Sequence, residues 1–113
     1  MAIISFGDTK EEIWLVARWV FHGLIARMML LSDDAEVRAK LEIALAVDAL
    51  LFSDLAKDLS VKIAPTLRQA VDDAISGAYK VDVEGRVLDE ASQAQFRRAV
   101  GELKRMMERH LGG

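Results

Sequence analysis

IWLVARWVFHGLIARMMLL, Ile13 to Leu31, decides how this chain is read, because across a helix-length run only Arg18, His22 and Arg27 carry polar side chains. A helix that is apolar on nearly every side cannot face water. The sequence therefore predicts one buried central helix, with the other segments wrapped around it as amphipathic helices. The run approaches membrane-spanning length, but each of two arginines within it would cost about 2.5–3.5 kcal/mol on insertion. A buried helix rather than a membrane span is expected.

Working outward, Ala2 to Phe6 (AIISF) reads as a short strand or a tail laid over the bundle. Thr9 and Glu12 have capping-box spacing and open helix 1. Ser32, Asp33 and Asp34 supply the next cap, with Asp33 and Glu36 repeating that spacing, and so short a turn makes helices 1 and 2 antiparallel neighbours. Helix 2 is expected over 34–59, where Val37, Leu41, Ala44, Leu45, Leu51, Phe52, Leu55 and Leu59 form one stripe with Asp48 at its centre. Residues 60–64 then read as a connector, because Pro65 fits best in the first turn of helix 3. That helix turns Leu67, Ala70, Val71, Ala74 and Ile75 inward and Arg68, Gln69, Asp72 and Asp73 outward, and Gly77 suits its exit. In YKVDVEGRVL, 79–88, apolar and polar residues alternate around Glu84-Gly85, the pattern of a small hairpin. Asp89 caps helix 4, whose Phe96, Val100, Leu103, Met107 and Leu111 face in. The fold expected is an all-α, four-helix up-down bundle with a minor β-hairpin at residues 80–88, in a single helical domain over 1–113.

Composition narrows the function classes. Hydrophobic residues make up 52% of the 113, and with 7 glycines added the apolar share exceeds the roughly 45–50% usual for soluble domains. Surplus apolar surface in a small domain points to a homodimer or another protein partner. A net charge of −3 and a pI near 5.3 argue against general affinity for nucleic acid or anionic membrane. There is no cysteine, so no disulfide framework or thiolate metal site exists. Met1 to Gly7 lacks the basic start and cleavage pattern of a signal peptide, and a cytoplasmic location is expected. Neither a metal nor a cofactor is called for by any motif.

Asp48 is the sharpest anomaly, because a carboxylate among leucines must be paired, hydrogen-bonded or protonated. An antiparallel turn near Ser32 brings it level with Val16, so that Arg18 reaches it and His22 lies one turn beyond. Arg18, His22 and Asp48 are thus expected to form a buried polar layer. Such a layer either fixes helix register or lines a small-molecule pocket in which Asp48 or His22 is a general base. Trp14 and Trp19 lie about 140° apart on a helix, so one of them is expected to meet another segment or subunit. On helix 4, Arg97, Arg98, Lys104, Arg105 and Arg109 share one face, interrupted by Glu108 and edged by Glu102, which suits an acidic partner, an RNA backbone or a solvated surface.

The segment Arg105-Met106-Met107-Glu108-Arg109-His110 resembles the motif of the HEPN family in its Arg, four residues, His spacing. That family consists of helical, often dimeric bundles whose active members cut RNA. The resemblance covers six residues and the helical character, and departs from the usual pattern at Met106, where a polar residue commonly follows the Arg. It implies that Arg105 would steady a phosphate and His110 would move protons. Three readings follow: a non-enzymatic protein-protein interaction module of the adaptor, inhibitor, immunity or antitoxin kind, working as a homo-oligomer; an HEPN-like dimeric ribonuclease; and a small-molecule-binding bundle with a pocket near His22 and Asp48.

Overall fold

The Ile13–Leu31 run is cut in two. In the computed structural model, which describes residues 1–7, 9–77 and 87–110, Ala2–Ser5 is strand β1, Ile13–Val16 is strand β2 and only Arg18–Leu31 is helix α1. β1 and β2 run antiparallel, pairing Ala2 with Val16, Ile3 with Leu15, Ile4 with Trp14 and Ser5 with Ile13. A 3₁₀ turn at Lys10–Glu12 joins them, so Thr9 does not cap an α-helix; its hydroxyl donates to the Glu12 carboxylate at 2.7 Å. The reason is tertiary. Ile-Trp-Leu-Val is β-branched and aromatic, and an apolar partner strand lies just upstream, so pairing outweighs the helical continuity of the run.

Helix α2, Ala35–Val47, also stops early. Asp34, not Asp33, caps it, accepting from the Glu36 and Val37 N–H groups at 2.9 and 3.1 Å. Asp48 ends it in the left-handed conformation, and Ala49–Leu51 is then strand β3, parallel to β1, with Ile3, Ile4 and Ser5 opposite Ala49, Leu50 and Leu51. Strand order is β2-β1-β3. A 3₁₀ turn at Phe52–Asp54 leads to helix α3, Lys57–Ser76, closed by Gly77 at φ 77°. Helix α4 is Glu90–His110, and Asp89 accepts from the Ser92 N–H at 2.7 Å.

Two expectations are thereby overturned. The molecule is not an all-α up-down bundle but four helices with a small mixed sheet. The proposed connector at 60–64 is helical, and Pro65 lies inside α3. Pro65 is tolerated there because it and Val61, whose carbonyl loses its usual N–H partner, are both exposed to water. The hairpin expected at 80–88 falls almost wholly on residues outside those described.

Strand alternation decides where the core sits. Ala2, Ile4, Trp14, Val16 and Leu50 point inward into one cluster with Val20, Phe21, Leu24, Ile25 and Met28 of α1 and the buried faces of α2, α3 and α4. Gly23 lets α4 approach α1, because a Cβ there would lie 3.1 Å from Cε2 of Phe96. Arg38 donates to the Met29 carbonyl at 3.0 Å, covering the C-terminal end of α1. Among the described residues no helix is long and apolar enough to cross a membrane.

Candidate functional site

Asp48 stands where α2, β3 and α1 converge. It is the one non-glycine residue with positive φ among those described, at φ 57° and ψ 37°. Its N–H donates to the Ala44 carbonyl, and its own carbonyl accepts from Ile3 N–H at 3.0 Å, the bond that starts the β1–β3 ladder. Its carboxylate accepts from His22 Nε2 at 2.6 Å, and Arg18 Nε lies 3.0 and 3.2 Å from its two oxygens. The hydrogen bond from His22 above all, then the charge and hydrogen bond of Arg18, holds its carboxyl below the usual carboxylate value.

The three residues expected together are therefore in contact, but they do not form a buried layer. The side chains of Arg18, His22 and Asp48 are 66%, 21% and 25% exposed, so the pair lies at the surface end of the sheet. The difference follows from α2 ending at Val47: Asp48 occupies a turn rather than a core-facing helical position. Chemically, Asp48 is a weak base at neutral pH, suited to holding a charge rather than taking a proton. It orients His22 with Nε2–H toward itself, leaving Nδ1 as the ring's other nitrogen. The three clefts between elements described for this fold are lined by other residues.

A second ion pair escaped the sequence reading. Arg27 reaches α3, donating to Oδ2 of Asp73 through Nε at 3.1 Å and Nη2 at 3.0 Å, while Gln69 donates to Oδ1 at 2.8 Å. Gln69 chiefly, then Arg27, lowers the Asp73 carboxyl. Helical spacing alone puts Asp73 outward with Asp72; the signals for its pairing are its place at the edge of the α3 stripe and the direction of Arg27, which points away from Arg18 and needs a counter-charge on another element.

The expected interaction residues divide. Trp14 is buried at 3% exposure, its Nε1 donating to the Ala99 carbonyl of α4 at 2.9 Å, so it belongs to the core. Trp19 is half-buried, its ring 6.0 Å from that of Phe96. Arg97, Arg98, Lys104, Arg105 and Arg109 are all exposed, and Lys104 meets Asp72 at 3.4 Å. Arg105 and His110 lie about 140° apart around α4, and the His110 ring stacks on Phe6 with centroids 6.2 Å apart.

One feature had no counterpart in the sequence reading. The outward faces of the strands place Leu15, Ile3 and Ala49 in one row and Ile13, Ser5 and Leu51 in the next. Ala49 and Leu51 share a shallow cleft with Ile43 and Val47 of α2, edged by Lys40 and Asp54. Leu15, Val47 and Ile43 are 60%, 62% and 54% exposed. Compared with models of known families, with curated proteins and with solved structures, the chain matches none of them.

Proposed function

We propose that this protein is a protein-protein interaction module, of the adaptor, inhibitor, immunity or antitoxin kind, that self-associates through the outer face of its sheet. The observation that carries the reading is the uncovered apolar surface running from Leu15 through Ile3 and Ala49 to Val47 and Ile43. Large apolar side chains grouped in this way mark interaction sites more often than isolated ones do. Charges of both signs border the patch, Lys40 and Asp54 on one side and the Arg18–Asp48 pair at the start of β3. An apolar centre with a rim of mixed sign is self-complementary under a two-fold axis, as an isologous dimer requires.

The test is mass in solution by light scattering over a wide range of concentration. A dimer is expected, and Val47→Glu should dissociate it by placing a carboxylate in the apolar centre. Val61→Glu, at a similarly exposed apolar position on α3, should leave it intact. A single-chain mass at every concentration, or a dimer indifferent to Val47→Glu, would overturn the reading.

A further inference from the structure

The outer face of α4 carries a concentration of positive charge at odds with the molecule as a whole. The chain has a net charge of −3, yet Arg97, Arg98, Lys104, Arg105 and Arg109 lie together on the exposed side of this helix, with Glu108 among them and Glu102 at the edge. Lys104 is paired with Asp72, but Arg97, Arg98, Arg105 and Arg109 make no ion pair among the described residues. Their spacing orders them. At about 100° per residue, Arg97 and Lys104 flank one side of Gly101, and Arg98 and Arg105 the other, with Arg109 a turn beyond.

Gly101 itself is unexplained by the monomer. A glycine inside a helix costs stability relative to alanine. At Gly23 the fold gives a reason, the ring of Phe96 close by; at Gly101 a Cβ would meet nothing within 4 Å among the described residues. It leaves a gap between the two sets of cationic side chains, continued by Ala94 one heptad earlier and closed by Glu108 one heptad later.

We infer that this face docks an acidic α-helix of a partner protein, laid along α4 with its carboxylates between the two sets of cationic side chains and its backbone close to Gly101. A second copy of the chain is disfavoured here, since the same face would bring arginine against arginine. A nucleic-acid backbone fits less well. Its phosphates are uniformly negative and would meet Glu102 and Glu108, whereas a peptide can set a lysine opposite each. The exposed residues of α4 also include no Phe, Tyr or Trp on which a base could stack, and its one exposed ring, His110, is already stacked on Phe6. The inference is independent of the self-association proposed above, which rests on other residues.

The test uses the whole protein and a fluorescent, alanine-based helical peptide with glutamates at i, i+3 and i+4 spacing, followed by anisotropy. Two controls are a peptide of the same charge broken by prolines and an oligouridylate strand. The helical peptide should bind most tightly at low salt, and the double charge reversal Arg98→Glu with Arg105→Glu should weaken it by about tenfold or more. Gly101→Ala separates docking from folding: it should raise the melting temperature while weakening the peptide several-fold. Tighter binding of the oligouridylate, equal binding of the proline-broken peptide, no binding at low salt, or a Gly101→Ala variant that binds as well as the parent would each overturn the inference.

Discussion

At Asp48 the backbone is left-handed, a region that a residue with a Cβ enters only at a cost and that Asp and Asn tolerate best. The position ends α2, begins the β3 ladder and holds two side chains of α1, so the strain is retained by structure on three sides. Asp48→Asn keeps the backbone preference and removes the charge, and should lower the melting temperature at neutral pH. The sign of its pH dependence follows from the carboxyl being held below 3.8 in the folded state. Its stabilising contribution is complete above the unfolded value and disappears as pH falls through the lower folded one. The gap between parent and variant should therefore narrow below about pH 4, as read by thermal melts from neutral to acid. A gap of equal size at both ends would mean that charge is not the cause. Asp34, Asp73 and Asp89 are lowered too, each by hydrogen bonds it accepts, so acid should weaken the fold at several junctions together.

At the scale of elements, chain pairing and solvent exposure overrode local pattern. The four residues of β2 read as the first turn of a helix until β1 is placed beside them. Helix α3 shows the converse, running for 20 residues through Pro65, because the lost hydrogen bond falls on its wet face. Pro65→Ala should restore the bond to Val61 and strengthen the helix. The gain expected in urea denaturation is roughly 1–2 kcal/mol, less than the full interior-proline penalty because proline also restricts the unfolded chain. A loss of stability would mean that the ring itself sets the course of α3. The same reasoning explains why one ion pair was legible and another was not. Arg18 and His22 share a face of α1 whether or not the preceding residues are helical, and the short Ser32–Asp34 turn brings Asp48 back to them. Which of the neighbours Asp72 and Asp73 meets Arg27 depends on where each lies against the apolar stripe of α3: at about 100° per residue Asp73 borders the stripe and Asp72 lies opposite it, a difference hidden when Ile75 is counted inward.

For the whole molecule, the distribution of surface properties matters more than their totals. Leu15, Ile43 and Val47 put exposed apolar side chains beside the sheet's outer face, while others such as Leu30 and Val61 stand apart, and positive charge collects on α4. A dimer formed through the first should couple stability to concentration by mass action. The melting temperature should rise as the protein is concentrated, and in Val47→Glu it should stay constant. Calorimetry across a dilution series checks this, and a parent melting point independent of concentration would count against the dimer.

By itself the sequence determined the helical bulk of the protein, the exit of α3 at Gly77, the cap of α4 at Asp89, the inward faces of α3 (all but the exposed Ile75) and of α4 at Phe96, Val100, Leu103 and Met107, and the meeting of Arg18 with Asp48, because these depend on spacing along one segment or on a short turn. Only the tertiary structure decided that Ala2–Ser5 and Ile13–Val16 are strands, that α2 gives way to β3, that Trp14 lies in the core, that Asp48 sits at the surface and that Leu15, Ile43 and Val47 stay exposed. Each of these depends on which distant backbone supplies the hydrogen-bond partner and which side of an apolar segment another element covers, and those choices are made only when the elements pack.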